Sequence, residues 1–233
     1  MEKVCVLTYQ MVHRKTYDTI ARLKAFGYSD VTVYAKPFHY QKRYVPYFDH
    51  RPNLMEDFPM QSIGYEDVVR NYGYALKKIQ EYDEIEEQTG TIFLVCGAGI
   101  IPKSVLDKYR LINAHPGYIP YVRGLDALKW AFMEHHPIGV TTHLLGEYID
   151  AGYVLERKTI AVYPGDTLHA VAYRQYELEI QMLVNAIEKC DTISFFTDGE
   201  GYPIHRRMPY QQEIQLESEF QKYKEMQRVV GEK

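Results

Sequence analysis

Residues 4–35, VCVLTYQMVHRKTYDTIARLKAFGYSDVTVYA, decide the fold. Val4-Cys5-Val6-Leu7 is a short run rich in β-branched residues. Thr16 to Phe26 then carries Ile20, Leu23 and Phe26 at helical spacing and stops at Gly27, a residue that ends helices readily. Val31-Thr32-Val33-Tyr34-Ala35 is a second strand, closed off by Pro37. Strand, helix, strand is the unit from which parallel sheets are built. The opening therefore predicts an α/β fold with a Rossmann-like, mainly parallel sheet flanked by helices.

The rest of the chain extends this pattern. Residues 38–64 carry Pro46, Pro52 and Pro59 among aromatic and charged residues with little periodicity, and read as a long irregular excursion of the kind used as a lid or substrate loop. A helix is expected over 65–87, with Val68, Tyr72, Ala75, Leu76 and Ile79 along one face. Residues 91–96 are continuously apolar, as in a strand covered on both faces, and break into Gly97-Ala98-Gly99. Pro102 starts a short helix, and Leu111 to His115 is a further strand running into Pro116-Gly117. A helix follows over 124–134, then strands over 138–145 and 153–161. A long helix runs from an Asp166 N-cap to about Lys189, with Leu168, Val171, Tyr176, Ile180 and Leu183 on its buried stripe. The chain past Gly199 is polar and is expected to end in another helix. No repeat or clear linker interrupts it, so the expected organisation is one domain over 1–200 and a partly helical tail over 201–233.

Composition narrows the function. Lys and Arg total 27 against 31 Asp and Glu, so no basic excess is available to hold a polyanion, and nucleic acid is not the default partner. No apolar run approaches the roughly 20 residues that span a bilayer, and the start MEKVCVLTYQ has no leader pattern, so a cytoplasmic protein away from membranes is expected. Cys5, Cys96 and Cys190 are odd in number and far apart, which suits reduced core thiols. His135-His136 with His143 lacks the ligand spacing of a zinc site, and no metal is expected. The 22 tyrosines hint at a half-wet cleft.

Chemistry concentrates in residues 112–124, INAHPGYIPYVRG, answered downstream by Tyr148-Ile149-Asp150-Ala151-Gly152. Alternation puts Asn113 and His115 on one face at a strand's end, where open α/β sheets place ligands. An amide donor, an imidazole proton carrier and a carboxylate make a workable set for acyl transfer. Nothing in the residues alone brings Asp150 to the other two.

Asn113-x-His115-Pro116-Gly117-x-x-Pro120 with Arg123-Gly124, then Gly139-Val140-Thr141-x-His143 and Ile149-Asp150-Ala151-Gly152, resembles the formyltransferases that use 10-formyltetrahydrofolate. That family includes glycinamide ribonucleotide, methionyl-tRNA and nucleotide-sugar amine formyltransferases, and the match runs from about Ile92 to Leu155. The resemblance implies the formyltransferase fold and a catalytic set of Asn113, His115 and Asp150. It implies a folate near Gly97, Ala98, Gly99, Ile100 and Ile101 and near Gly146, Glu147 and Tyr148. Residues 120–130, PYVRGLDALKW, look most like the sugar N-formyltransferase branch. A nucleotide-linked acceptor would meet His13 and Arg14, in the βα loop where phosphates dock, together with Tyr118, Tyr121 and Arg123. Arg123 could equally cap a turn.

Departures prune the family. Thr8 to Arg14 stands where glycinamide ribonucleotide enzymes carry a glycine-rich phosphate loop. About 30 residues after Gly201 are too few for the tRNA-binding domain of the methionyl-tRNA enzymes, and the first strand at Val4 leaves no room for the N-terminal regulatory domain of formyltetrahydrofolate hydrolases. The expected activity is transfer of a formyl group to the primary amine of a small molecule, with a nucleotide sugar favoured. A hydrolase, a small-amine formyltransferase and an idle folate- or nucleotide-binding module stay open, as does a homodimer.

Overall fold

The computed structural model describes residues 3–38, 45–49 and 64–231 of the chain, with side chains through 227. β1 (Val4–Tyr9), α1 (Arg14–Ala25) and β2 (Val31–Lys36) form the expected opening unit, and β1 and β2 pair in parallel from Val4↔Val31 to Tyr9↔Lys36. Gly27 ends the helix at φ +84°, a conformation open to glycine at little cost. Then come α2 (Tyr65–Asn71), β3 (Ala75–Lys78), a 3₁₀ turn at Tyr82–Glu84, β4 (Ile92–Val95), α3 (Lys103–Leu106) and β5 (Arg110–His115). β6 (Arg123–Gly124), α4 (Ala127–Met133), β7 (Gly139–Leu144), β8 (Gly152–Thr159), α5 (Leu168–Asn185) and β9 (Phe195–Thr197) complete the sheet region. β10 (Ile204–His205), α6 (Tyr210–Glu213) and α7 (Leu216–Gly231) close the described chain.

Eight strands lie in the order β3-β2-β1-β4-β5-β7-β8-β9, parallel from β3 to β5 and antiparallel from β5 to β9. β6 and β10 form a separate two-stranded parallel ribbon. Both faces of the parallel part are covered. Val4, Val6, Leu94, Ile112 and Val140 pack with Ile20 and Leu23 of α1 and with Val171 and Leu183 of α5, whereas Cys5, Leu7, Phe93, Val95 and Leu111 pack against Ile79, Tyr82 and Tyr109. That double coverage explains why these strands read as unbroken apolar runs. The strand order reverses between β1 and β4, the switch point beyond whose carboxyl ends open α/β sheets place ligands, and the end of β5 lies beside it.

Several expectations are corrected. The helix over 65–87 stops at Asn71, because Gly73 turns the chain at φ +75° and residues 75–78 add a strand beside β2. Its apolar spacing served two elements: Val69 and Leu76 join one core and Ile79 the other. The cap of α5 is Thr167, whose hydroxyl accepts from Ala170 N at 3.1 Å. Asp166 instead accepts from Tyr163 N and pairs with Arg174. Of the excursion over 38–64, residues 39–44 and 50–63 lie outside the described residues. Residues 45–49 carry no helix or strand, and Phe48 is buried beside the His169 ring. Residues past 200 enter the main core, where Met208, Leu216, Phe220 and Tyr223 are buried with Val4 and Val140. No helix among the described residues is long and apolar enough to cross a membrane.

Candidate active site

Asn113 and His115 stand at the carboxyl end of β5, on the face they share with Leu111. The antiparallel register places His143 of β7 opposite Asn113, and Asn113 Nδ2 lies 3.3 Å from His143 Nε2. Asp150 arrives on the connection from β7 to β8, in a left-handed conformation at φ +42° that Asp tolerates better than most residues. Its Oδ1 is 3.5 Å from His115 Nδ1 and 3.8 Å from His143 Nε2, and its Oδ2 accepts the Gly124 N–H at 2.9 Å. His115 Nε2 faces Val122 O at 3.1 Å. One carboxylate thus sits between two imidazoles, with an amide alongside.

The surroundings set the charge states. Burial pushes His143 down from 6.5 to about 4, outweighing the attraction of Asp150, so His143 is neutral near pH 7 and can accept the Asn113 amide hydrogen at Nε2. Burial alone would raise the Asp150 carboxyl. The His115 and His143 rings, the Gly124 N–H and the Arg123 guanidinium together outweigh it and hold Asp150 below the ordinary aspartate range. Burial also drives the Cys5 thiol up to about 12 and the Cys96 thiol to about 11, so neither is a thiolate nucleophile.

The turn from Pro116 to Pro120 is latched from below. Thr141 Oγ1 donates to Gly117 O at 2.8 Å and accepts from Ile119 N at 3.1 Å, Gln175 Nε2 donates to Pro116 O at 3.0 Å, and Arg157 donates to Ile119 O at 2.9 Å. Tyr118 and Tyr121 project from that turn with stacked rings 6.0 Å apart.

The two segments expected to meet a folate border Asn113 and Asp150. Gly97 follows β4, where Val95 pairs with Asn113, and packs so closely on the Tyr9 ring that a Cβ there would collide with it. The Tyr82 hydroxyl holds Ala98 O, and Lys103 reaches Glu147 at 2.5 Å, tying this segment to Gly146–Tyr148. Around Gly99 and Gly146 there is open space where a Cβ would stand, and Ile100, Tyr148 and Ile149 are exposed at 95%, 44% and 58%. Open backbone rimmed by apolar side chains fits a flat heterocycle whose edge needs hydrogen bonds.

The remaining sequence candidates scatter. His13 bonds Thr16 Oγ1 at 3.0 Å, and Arg14 pairs with Asp18 at 3.0 Å while lying over the Tyr176 ring, both at the crevice end of α1. Arg123 does not point at the crevice. It is buried, and its guanidinium donates to the carbonyls of Ile149, Asp150, Gly199 and Tyr202. His135 and His136 pair with Glu219 and Glu134 rather than with His143. No three His, Cys, Asp or Glu side chains cluster as a metal site among the described residues. Sequence reasoning quoted His143 within Gly-Val-Thr-x-His but did not set it beside Asn113, because the β5–β7 register that does so is not written in any local pattern.

The formyl transferase family model matches residues 59–187, more than half of the chain. Methionyl-tRNA formyltransferase of Ehrlichia ruminantium is 32% identical over 123 residues, covering 51% of this chain and 41% of that protein. A dTDP-4-amino-4,6-dideoxyglucose formyltransferase of Mycobacterium tuberculosis is 26% identical over 83 residues, 36% of each chain. The matched stretch thus spans less than half the length of these relatives. Among solved structures, the N-formyltransferase of Helicobacter canadensis in complex with folinic acid and dTDP-3-aminofucose superposes with a TM-score of 0.62 at 16% identity, over 90% of this chain and 73% of that one, a likeness of fold.

Proposed function

This chain belongs to the formyl transferase family, and from its site we propose that it moves a formyl group from 10-formyltetrahydrofolate to the primary amine of a nucleotide-linked amino sugar. The observation that carries the chemistry is the 3.5 Å approach of Asp150 to His115, with Asn113 beside them. The acceptor rests on the dTDP-sugar relative and on the lack of a glycine-rich phosphate loop at residues 8–14.

In this reading the neutral amine attacks the formyl carbon, a new C–N bond forms, and the carbon's bond to the folate nitrogen breaks. Asn113 Nδ2 keeps one hydrogen on His143 and offers the second to the formyl oxygen as negative charge grows there. Asp150, held ionised, takes the amine's proton directly or through water, and His115 returns a proton to the leaving nitrogen. His13, Arg14, Tyr118 and Tyr121 are assigned to the nucleotide, whose remote binding is spent on orienting the amine. Arg123 is assigned to holding Asp150.

The test is a formyl-transfer assay with a nucleotide-linked amino sugar and with the same sugar lacking its nucleotide. The linked acceptor should be used far better, and Asp150→Asn should lower kcat by about a hundredfold or more. Equal rates for the two sugars would make this a small-amine transferase, and rapid deformylation with no amine present would make it a hydrolase.

A further inference from the structure

The parallel ladder under the site ends one bond early. Leu145 N donates to Leu111 O, so alternation turns the carbonyls of Leu111 and Asn113 towards β7 and that of Ala114 towards β4. The last β4–β5 register pair is Val95↔Asn113, and the next donor due to Ala114 O is the N–H of Gly97. Gly97 N instead joins Cys96 N on Leu7 O, at 3.2 and 3.0 Å, as the chain bends beneath the Tyr9 ring and opens the crevice. A backbone carbonyl between Asn113 and His115 is left without its strand partner. Such groups are rarely left unpaired.

Lys15, in the first turn of α1, fills the gap. Its Nζ donates to Ala114 O at 3.2 Å and is held from the other side by Glu179 Oε1 of α5 at 2.6 Å, with the two side chains only 13% and 8% exposed. One helical turn earlier on α5, Gln175 grips Pro116 O at 3.0 Å. The carbonyls on either side of His115 are therefore both fixed from the α1/α5 side of the sheet.

We propose that Lys15 is a positioning residue for the formyl-transfer site: its ammonium, anchored by Glu179, supplies the hydrogen bond that β4 withholds from Ala114 and fixes the strand end that carries Asn113 and His115. The inference rests on the formyl-transfer reading for its kinetic consequence, not for its geometry. Freed at Ala114, the adjoining peptide planes rotate, and His115 swings relative to Asp150. Misplacement of about 1 Å in such a site costs about a hundredfold in rate, whereas the Lys15 side chain, turned to Ala114 and Glu179, is assigned to neither the nucleotide nor the folate.

The test compares the full chain with Lys15→Arg, which keeps a donor of sufficient reach, and with the double variant Lys15→Met/Glu179→Gln, which removes the bond without stranding a carboxylate. Steady-state kinetics and the NMR ring signals of His115 in the ligand-free protein are read together. The double variant should lose about ten- to a hundredfold in kcat with KM within about threefold, and its His115 signals should shift or broaden; Lys15→Arg should stay within about threefold of the parent. A folded double variant with parental kcat and unchanged His115 signals overturns the proposal, as does a loss carried by KM alone. If the double variant fails to fold, Lys15→Gln, too short to span the gap, is read against the same outcomes. A parent chain that formylates no amine would sink the formyl-transfer reading, while the His115 signals would still report on Lys15.

Discussion

The site's charge states come from burial working on single residues. His143 is neutral because burial costs its imidazolium more than Asp150 gives back, and Asp150 is ionised because two rings, a backbone N–H and a guanidinium outweigh its burial. Each has a separate signature in stability. In the unfolded chain His143 titrates near 6.5 and in the folded chain near 4, so between those values only the unfolded form takes the proton. Stability should therefore be complete above pH 6.5 and fall as pH drops towards 4, by about 3 kcal/mol in all. Asp150 contributes in a lower window, above the ordinary aspartate value near 4, and its share is lost only in more acid solution. Urea midpoints measured from pH 7 to 4 should show His143→Gln flattening that limb by up to about 1.4 kcal/mol per pH unit, and an unchanged slope would mean that His143 is not the buried neutral group. At this scale the site was half legible. Asn113 and His115 follow from strand alternation, but placing His143 needs the β5–β7 register, which no local pattern encodes.

Elements decide where Asp150 stands. The ribbon of β6 and β10 pairs Arg123↔Ile204 and Gly124↔His205, and position 124 requires glycine twice over, for its φ of +88° and because a Cβ there would strike the His205 backbone. From this ribbon Gly124 N reaches Asp150 Oδ2, and the Arg123 fork joins the 149–150 connection to the turn at 199–202. Two-residue strands have no period to read, which is why the ribbon left no trace in the sequence and why Arg123 looked as much like a substrate contact as a cap. The mistaken helix over 65–87 has the converse cause, a real 3.6-residue spacing interrupted by Gly73 and shared between two cores. Because Arg123 works as a planar fork, lysine should not replace it. Arg123→Lys is expected to cost on the order of 3 kcal/mol through carbonyls left unpaired, and to lower kcat at least tenfold as Asp150 loosens. Calorimetry together with steady-state rates checks this, and a lysine variant matching the parent in both would return Arg123 to the substrate.

Across the whole molecule, the polar tail expected past residue 200 closes the core. Leu216, Phe220 and Tyr223 recur at intervals of four and three residues on α7, a helical stripe that was present in the sequence but hidden by the surrounding charge. To this apolar join the tail adds a buried ion pair. Lys129 of α4 and Glu213 of α6 form a pair with side chains 1% and 0% exposed, Asp126 Oδ2 lies 3.7 Å from the same ammonium, and Glu213 Oε2 also accepts the Tyr47 N–H at 2.6 Å. Glu213 is therefore shared by α4, the C-terminal segment and the excursion that begins after β2. Removing either partner strips a buried charge of its nearest opposite charge, so Lys129→Met and Glu213→Leu should each cost about 3–5 kcal/mol, Glu213→Leu at the lower end because Asp126 stays beside the ammonium. If the pair serves mainly to satisfy itself, Lys129→Met/Glu213→Leu should recover most of that loss, giving a coupling energy of at least about 2 kcal/mol in a double-mutant cycle of urea denaturation. The Tyr47 N–H loses its acceptor in that double variant, so recovery should stop about 1–3 kcal/mol short of the parent. Strictly additive losses would mean that Lys129 and Glu213 act independently, and that Met208, Leu216 and Phe220 hold the tail to the domain without them.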